Sequence, residues 1–188
     1  MGKLIYLLNV SLDGFIEAPD HSLAWTSVDD ELHTWFNDHM RDLAASLYGR
    51  RLYEVMSAYW PNYESDPDAT GPMREFGRIW NATPRIVFSS TLDRVDFNSR
   101  LVRGDVGEEL ARARTEFDGD MEVGGATLAA SFIRRGLVDE YRLVVHPVIL
   151  GGGTRFFPEL ESPIPLRLTE SRHFESGVVY LGYTADRS

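Results

Sequence analysis

The chain has 188 residues, 43% of them hydrophobic and 26% charged, with a formal net charge of −10 and no cysteine. That length supports one domain with a sizeable core. The acidic balance argues against nucleic acid as a partner, because a phosphate backbone needs a basic surface. The absence of cysteine excludes a disulfide scaffold, a thiolate nucleophile and a cysteine-ligated metal. No apolar run approaches the roughly 20 residues that span a bilayer. Lys3–Val10 is too short for a secretory core, so a cytoplasmic protein with no membrane partner is expected.

Lys3–Val10 (KLIYLLNV) is a near-continuous apolar run, the pattern of a central strand buried on both faces. Asp13-Gly14 is a turn signal. Phe15–Ser27 reads as a loop. Trp25 within it is either a lid on the core or a ring that stacks on a ligand. Leu32, Phe36, Met40, Leu43 and Leu47 recur at helical spacing and predict a helix over 29–47, with 44–48 running out as a short strand into Gly49. The acids Asp29, Asp30 and Glu31 suit its first turn. His33 and His39 are badly spaced for two ligands on one helical face, so no metal site is expected there.

Gly49-Arg50-Arg51 precedes a second predicted helix, 51–58. Glycine before a helix, followed by guanidinium donors, can hold a phosphate; the alternative is two surface arginines. Asn62–Gly71 reads as a polar surface loop and Pro72–Trp80 as a helix begun by proline. Arg85–Phe88 is a predicted strand running into Ser89-Ser90-Thr91. Those hydroxyls either lie where open α/β sheets take ligands or only form a turn. A short strand at Leu101–Arg103 and a helix at Asp105–Phe117 follow.

Met121–Val123 is a short predicted strand, Gly124-Gly125 a tight turn, Ala126–Arg135 a helix stopped by Gly136, and Asp139–Val148 a buried strand. This is a βαβ unit. Its turn either only links strand to helix or uses free backbone N–H groups to hold an anion. It lacks the full spacing of a dinucleotide fingerprint. Leu166–Phe174 and Val178–Tyr183 flank Ser176-Gly177 and read as a β-hairpin. No repeat or linker divides the chain, so residues 1–188 are expected to form one domain.

LNVSLDGFI, GRRLYE, FSSTL, VGGATLA and LVDEYRLVVHPVILGGGTRFF occur in this order. Together they resemble the dihydrofolate reductase-like superfamily, and more narrowly the reductase domain of the riboflavin-biosynthesis deaminase/reductase and its stand-alone relatives. The resemblance covers nearly the whole chain. It implies a three-layer α/β/α sandwich with a mixed, mainly parallel sheet and a C-terminal β-hairpin, and NADPH as hydride donor. It places Gly49, Arg50 and Arg51 at the cofactor phosphates, Ser89 and Ser90 near the adenosine 2′-phosphate, and Gly124, Gly125, Ala126 and Thr127 at the pyrophosphate. Asn9 and Ser11 would lie beside the nicotinamide. Asp13, Gly14 and Trp25 would line the substrate side, with Ser11 beside them.

The chain departs from the riboflavin enzymes in having Val123 where they carry an acid before the glycine turn. Ser57–Pro61 stands where they tend to carry an Asp-Asp-Pro run. The cysteines of the zinc-binding deaminase domain do not occur in these 188 residues. Dihydrofolate reductases hold their substrate ring with a carboxylate on the first long helix; His33 falls nearest that place. The expectation is an NADPH-dependent oxidoreductase acting on a small polar, pterin-like or aminopyrimidine-type substrate, with Asp13 the first candidate for proton delivery or else only one half of a turn pair. A homodimer is expected from the family and from the apolar hairpin, which needs a cover. The alternative is a nucleotide-binding protein on the same fold without turnover.

Overall fold

A computed structural model describes residues 2–186. Eight strands form one sheet in the order β5-β4-β3-β6-β1-β7-β10-β9. These are β1 (Leu4–Ser11), β3 (Ala45–Gly49), β4 (Arg85–Phe88), β5 (Ser99–Val102), β6 (Met121–Gly124), β7 (Glu140–His146), β9 (Leu166–His173) and β10 (Val179–Ala185). The first six in that spatial order pair in parallel. β10 runs antiparallel to β7, and β9 antiparallel to β10. A second, two-stranded ribbon pairs β2 (Phe15–Glu17) with β8 (Thr154–Arg155).

Alternation along the strands decides the layers. Ile5 and Leu7 of β1 pack with Met40 of α1 (Asp30–Arg41) and with Phe76 and Trp80 of α3 (Gly71–Ala82). Tyr48 and Val87, on β3 and β4, meet Tyr53 of α2 (Arg50–Tyr59). Leu4, Tyr6, Leu47, Ile86 and Val123 face the other way. They bury Leu110 and Ala113 of α4 (Val106–Glu116) and Leu128, Phe132 and Ile133 of α5 (Ala126–Arg134). Helices therefore cover both faces of a mixed, mainly parallel sheet, the three-layer sandwich expected.

The helix expected over 29–47 is corrected: it ends at Arg41. The short strand expected over 44–48 is present as the complete central strand Ala45–Gly49. Leu43 still packs with Met40, whereas Leu47 faces the opposite layer. Pairing with both β4 and β6 satisfies the backbone of this strand and overrides the helical spacing. Within the predicted loop 15–27, Phe15–Glu17 pairs with Thr154–Arg155. Part of the predicted loop 62–71 belongs to a 3-10 turn, Trp60–Ser65. Gly136, at φ +64°, ends α5, and Gly177, at φ +82°, turns the β9–β10 hairpin. β9 is exposed along its whole length at the edge of the sheet. Among the described residues no helix is long and apolar enough to cross a membrane, and no cluster of three or more His, Asp or Glu could hold a metal.

Candidate functional site

Parallel pairing brings the C-terminal ends of β1, β3, β4, β6 and β7 to one edge of the sheet. Every predicted site residue lies at that edge, on a loop leaving it, or in the first turn of α2 or α5. Open α/β sheets take ligands at this edge.

The helices that start here differ from the rest. Asp29 caps α1, Thr70 caps α3 and Asp105 caps α4, each by accepting a backbone N–H of the first turn. α2 and α5 start on Gly49 and Gly125, with no side-chain cap and no acid in the first turn. Their leading N–H groups and dipole ends are therefore left for an anion. The two starts are neighbours, because β3 and β6 pair with Tyr48 opposite Gly124. A Cβ on Gly49 would lie 3.4 Å from the Leu128 Cβ, and one on Gly125 would lie 3.6 Å from the Leu52 Cβ.

The glycine turn is required by this proximity. Gly124 has no room for a side chain, since a Cβ there would run into Leu52 Cδ2 and stand 3.1 Å from the Tyr48 ring. Gly125 adopts φ +91°, which other residues avoid. Thr127 stands exposed in the first turn of α5, and Ala126 is buried beside it.

The two arginines separate. Arg50 donates to Glu54 at 2.8 Å and to Thr91 Oγ1 at 2.8 Å. It thereby joins the start of α2 to the Ser89-Ser90-Thr91 turn, where Ser89 Oγ accepts the N–H groups of Thr91 and Leu92. Arg103, past the end of β5, donates to the Leu92 carbonyl of the same turn. Sequence reasoning missed Arg103, which has no motif around it. Arg51 instead turns to β2, pairing with the buried Glu17 at 2.9 Å and meeting His21 Nδ1 at 3.1 Å. Glu17 also accepts from Thr154 and contacts His21.

At the end of β1, Ser11 donates to Asp13 at 2.7 Å and accepts the Phe15 N–H at 2.9 Å. Asp13 also accepts the N–H groups of Leu150 and Gly151, at 3.1 and 2.7 Å. The Ser11 hydroxyl, seconded by these amides, pulls the Asp13 carboxyl down to about 2. Asp13 is thus ionised at neutral pH and joins the β1–β2 turn to the glycine loop. Gly14, at φ +90°, closes that turn, and its carbonyl accepts the Phe156 N–H.

His146, the last residue of β7, is 1% exposed. Its Nε2 lies 2.8 Å from Asn9 Oδ1, and its Nδ1 accepts the Ser27 N–H at 3.3 Å. Trp25 stands edge-on to its ring, with centroids 5.5 Å apart. Burial pushes His146 down to about 4. A histidine directly after the apolar run Leu143–Val145 was the available sequence signal.

The residues that depart from the family pattern point elsewhere. Val123 is fully buried among α4 and α5. Its neighbour Glu122 faces the other layer and contacts His39 at 3.0 Å. His33 is a core residue. It lies between Trp60 and Phe76, at 5.5 and 5.4 Å, and burial lowers its pKa. Two cavities of about 280 and 410 Å³ lie elsewhere, one beside His39 and Arg142, the other beside Arg85 and Arg100. Neither is lined by a predicted site residue.

The chain is 34% identical to YyaP of Bacillus subtilis (strain 168), a protein without a characterised function, over 96% of this chain and 94% of that one. In fold it is similar to a protein of Shewanella sp. PV-4 provisionally described as a riboflavin biosynthesis protein: TM-score 0.78, 23% identity, 98% of this chain and 99% of that chain covered. It is also similar to the dihydrofolate reductase of Enterococcus faecalis, solved in complex with NADP(H) and RAB-propyl, at a TM-score of 0.66 and 17% identity, covering 98% of this chain and 97% of that one. The model of the RibD C-terminal domain matches residues 2–180, and the chain belongs to that family.

Proposed function

We propose that this chain is an NADPH-dependent reductase that transfers a hydride to a small polar substrate of pterin-like or aminopyrimidine type. The observation that carries this reading is the pair of adjacent, uncapped and acid-free helix starts of α2 and α5 at the C-terminal edge of the sheet. Gly49 to Arg51 and Gly124 to Thr127 would hold the cofactor phosphates with backbone N–H groups. Arg50, with Ser89, Ser90 and Thr91, would take the 2′-phosphate; a guanidinium suits that geometry. Asn9 would meet the nicotinamide carboxamide, and Trp25 would wall the substrate side.

When bound, the cofactor supplies the hydride. The chain supplies position, which for such a step means reacting atoms about 3–3.5 Å apart. Asp13 holds the glycine loop in place as a carboxylate. With Asp13 ionised and His146 neutral at pH 7, neither holds an acidic proton to deliver after the hydride.

Calorimetric titration with NADPH and NADH tests the cofactor. NADPH consumption with a panel of pterins and aminopyrimidines tests the reaction. Tight NADPH binding with weak NADH binding is expected, together with turnover of at least one panel member. Binding of neither nucleotide to folded protein would overturn the reading.

A second reading is a nucleotide-binding protein without turnover. The commitment of both Asp13 oxygens to hydrogen bonds favours it, since a carboxylate held this way has no proton to deliver. NADPH binding without consumption across the panel would select it.

A further inference from the structure

His146 closes β7 beside Asn9, and what it does for a ligand there rests on the reductase reading above. The backbone N–H of Ser27 can only donate, so His146 Nδ1 is an acceptor. A buried, neutral imidazole then carries its proton on Nε2. That proton can only be donated, and the Asn9 atom 2.8 Å away accepts it. The atom is therefore the amide oxygen, and the orientation of the Asn9 side chain follows from the backbone of residue 27.

The consequence lies at the other end of the amide. β1 has β7 on one side and β6 on the other. With Oδ1 turned to His146 on β7, the NH2 group opens away from β7. Asn9 is half-buried, and its NH2 group has no partner among the described residues. It offers two donors and no acceptor.

We propose that His146 is a positioning residue that fixes the Asn9 amide with its NH2 group facing the ligand, so that the group recognised there is a hydrogen-bond acceptor, the carboxamide oxygen of the nicotinamide. The same imidazole ties the segment Trp25–Ser27 to the end of β7, so one side chain orients the Asn9 amide and holds a neighbouring wall.

Two measurements test this. The first is a long-range proton–nitrogen spectrum of uniformly ¹⁵N-labelled wild-type protein at pH 7, with the His146 signals assigned by their loss in His146→Asn. A neutral Nε2–H tautomer is expected. An Nδ1–H tautomer or an imidazolium overturns the proposal, whatever the cofactor does.

The second is NADPH titration of wild type, His146→Gln, His146→Asn, Asn9→Leu and the double variant His146→Asn/Asn9→Leu, each checked for folding by near-UV circular dichroism. Glutamine places an amide donor near the Nε2 position and should retain affinity within about 3-fold. Asparagine replaces only the Nδ1 acceptor, so it keeps the Ser27 contact, loses Asn9, and should weaken NADPH about 10-fold, one lost hydrogen bond's worth. Asn9→Leu should cost about the same. The double variant should be no weaker than Asn9→Leu, because His146 acts through Asn9. Additive losses, or a His146→Asn protein that binds like wild type, overturn the positioning role. If the wild type shows the Nε2–H tautomer yet binds no NADPH, the reductase reading falls while the His146–Asn9 link stands.

Discussion

Asp13 accepts the N–H of Gly151 at 2.7 Å across 138 positions of chain, a contact that adds to the hydrogen bond from Ser11, the main cause of the acid's lowered pKa. With Ser11 and Leu150 sharing the same carboxylate, Asp13 stays charged far below neutral pH. Its contribution to stability is present above its ordinary value of 3.8 and is lost as pH falls toward about 2. Asp13→Asn should therefore lower the melting temperature at pH 7 and leave the shape of the turnover profile between pH 5 and 8 unchanged. A limb that disappears from that profile would return Asp13 to the role of proton donor.

Gly125→Ala should cost about 1–2 kcal/mol, because φ +91° brings a side chain against the backbone. NADPH affinity should fall further than stability, since the N–H groups that lead α5 are re-aimed. Urea denaturation beside NADPH titration separates the two effects. Gly124→Ala should destabilise by about 1–3 kcal/mol by overpacking against Leu52 and Tyr48.

Arg50→Ala should weaken NADPH by about 10-fold or more and leave NADH affinity nearly unchanged. Stability should not move, because the Arg50–Glu54 pair is exposed on both sides. Equal loss for both nucleotides would assign Arg50 to the pyrophosphate instead. Arg103→Ala is the companion variant, since Arg103 reaches the same turn.

Burial holds His146 at about 4, against an ordinary value of 6.5. The unfolded chain takes up this proton near pH 6.5 and the folded chain only near pH 4, so between them the unfolded state binds more protons. Stability should then fall on acidification from pH 7 to 4, by on the order of 3 kcal/mol from this group. Urea midpoints at pH 7.5 and 5 should differ less in His146→Gln than in wild type. Identical pH dependence in the two proteins would show that His146 titrates normally.

Fold class and most elements were legible in the chain because they rest on local signals. The apolar runs of β1 and β7, the glycines at 49, 124–125, 136 and 177, and the proline starting α3 each act through backbone conformation or burial period. The corrected boundary is the end of the first helix, because Leu43 and Leu47 continue its helical spacing past Arg41. The strand at 45–49 is completed by Arg85 to Phe88 and Met121 to Gly124, which no local window contains.

The site divides in the same way. The amino-acid sequence by itself determined that two glycine-led helices follow strands and that arginine and hydroxyl groups stand near strand ends, because turn conformation and helix capping are local. It could not apportion the polar side chains. Arg50 and Arg51 are adjacent, yet one reaches Thr91 and the other Glu17, since side chains on a helix diverge by about 100° per residue. Only the tertiary structure brought Asp13 to Gly151, Arg51 to Glu17 and His146 to Asn9. Each partner is set by parallel strand register and loop closure, and these are long-range consequences of burying both faces of the sheet.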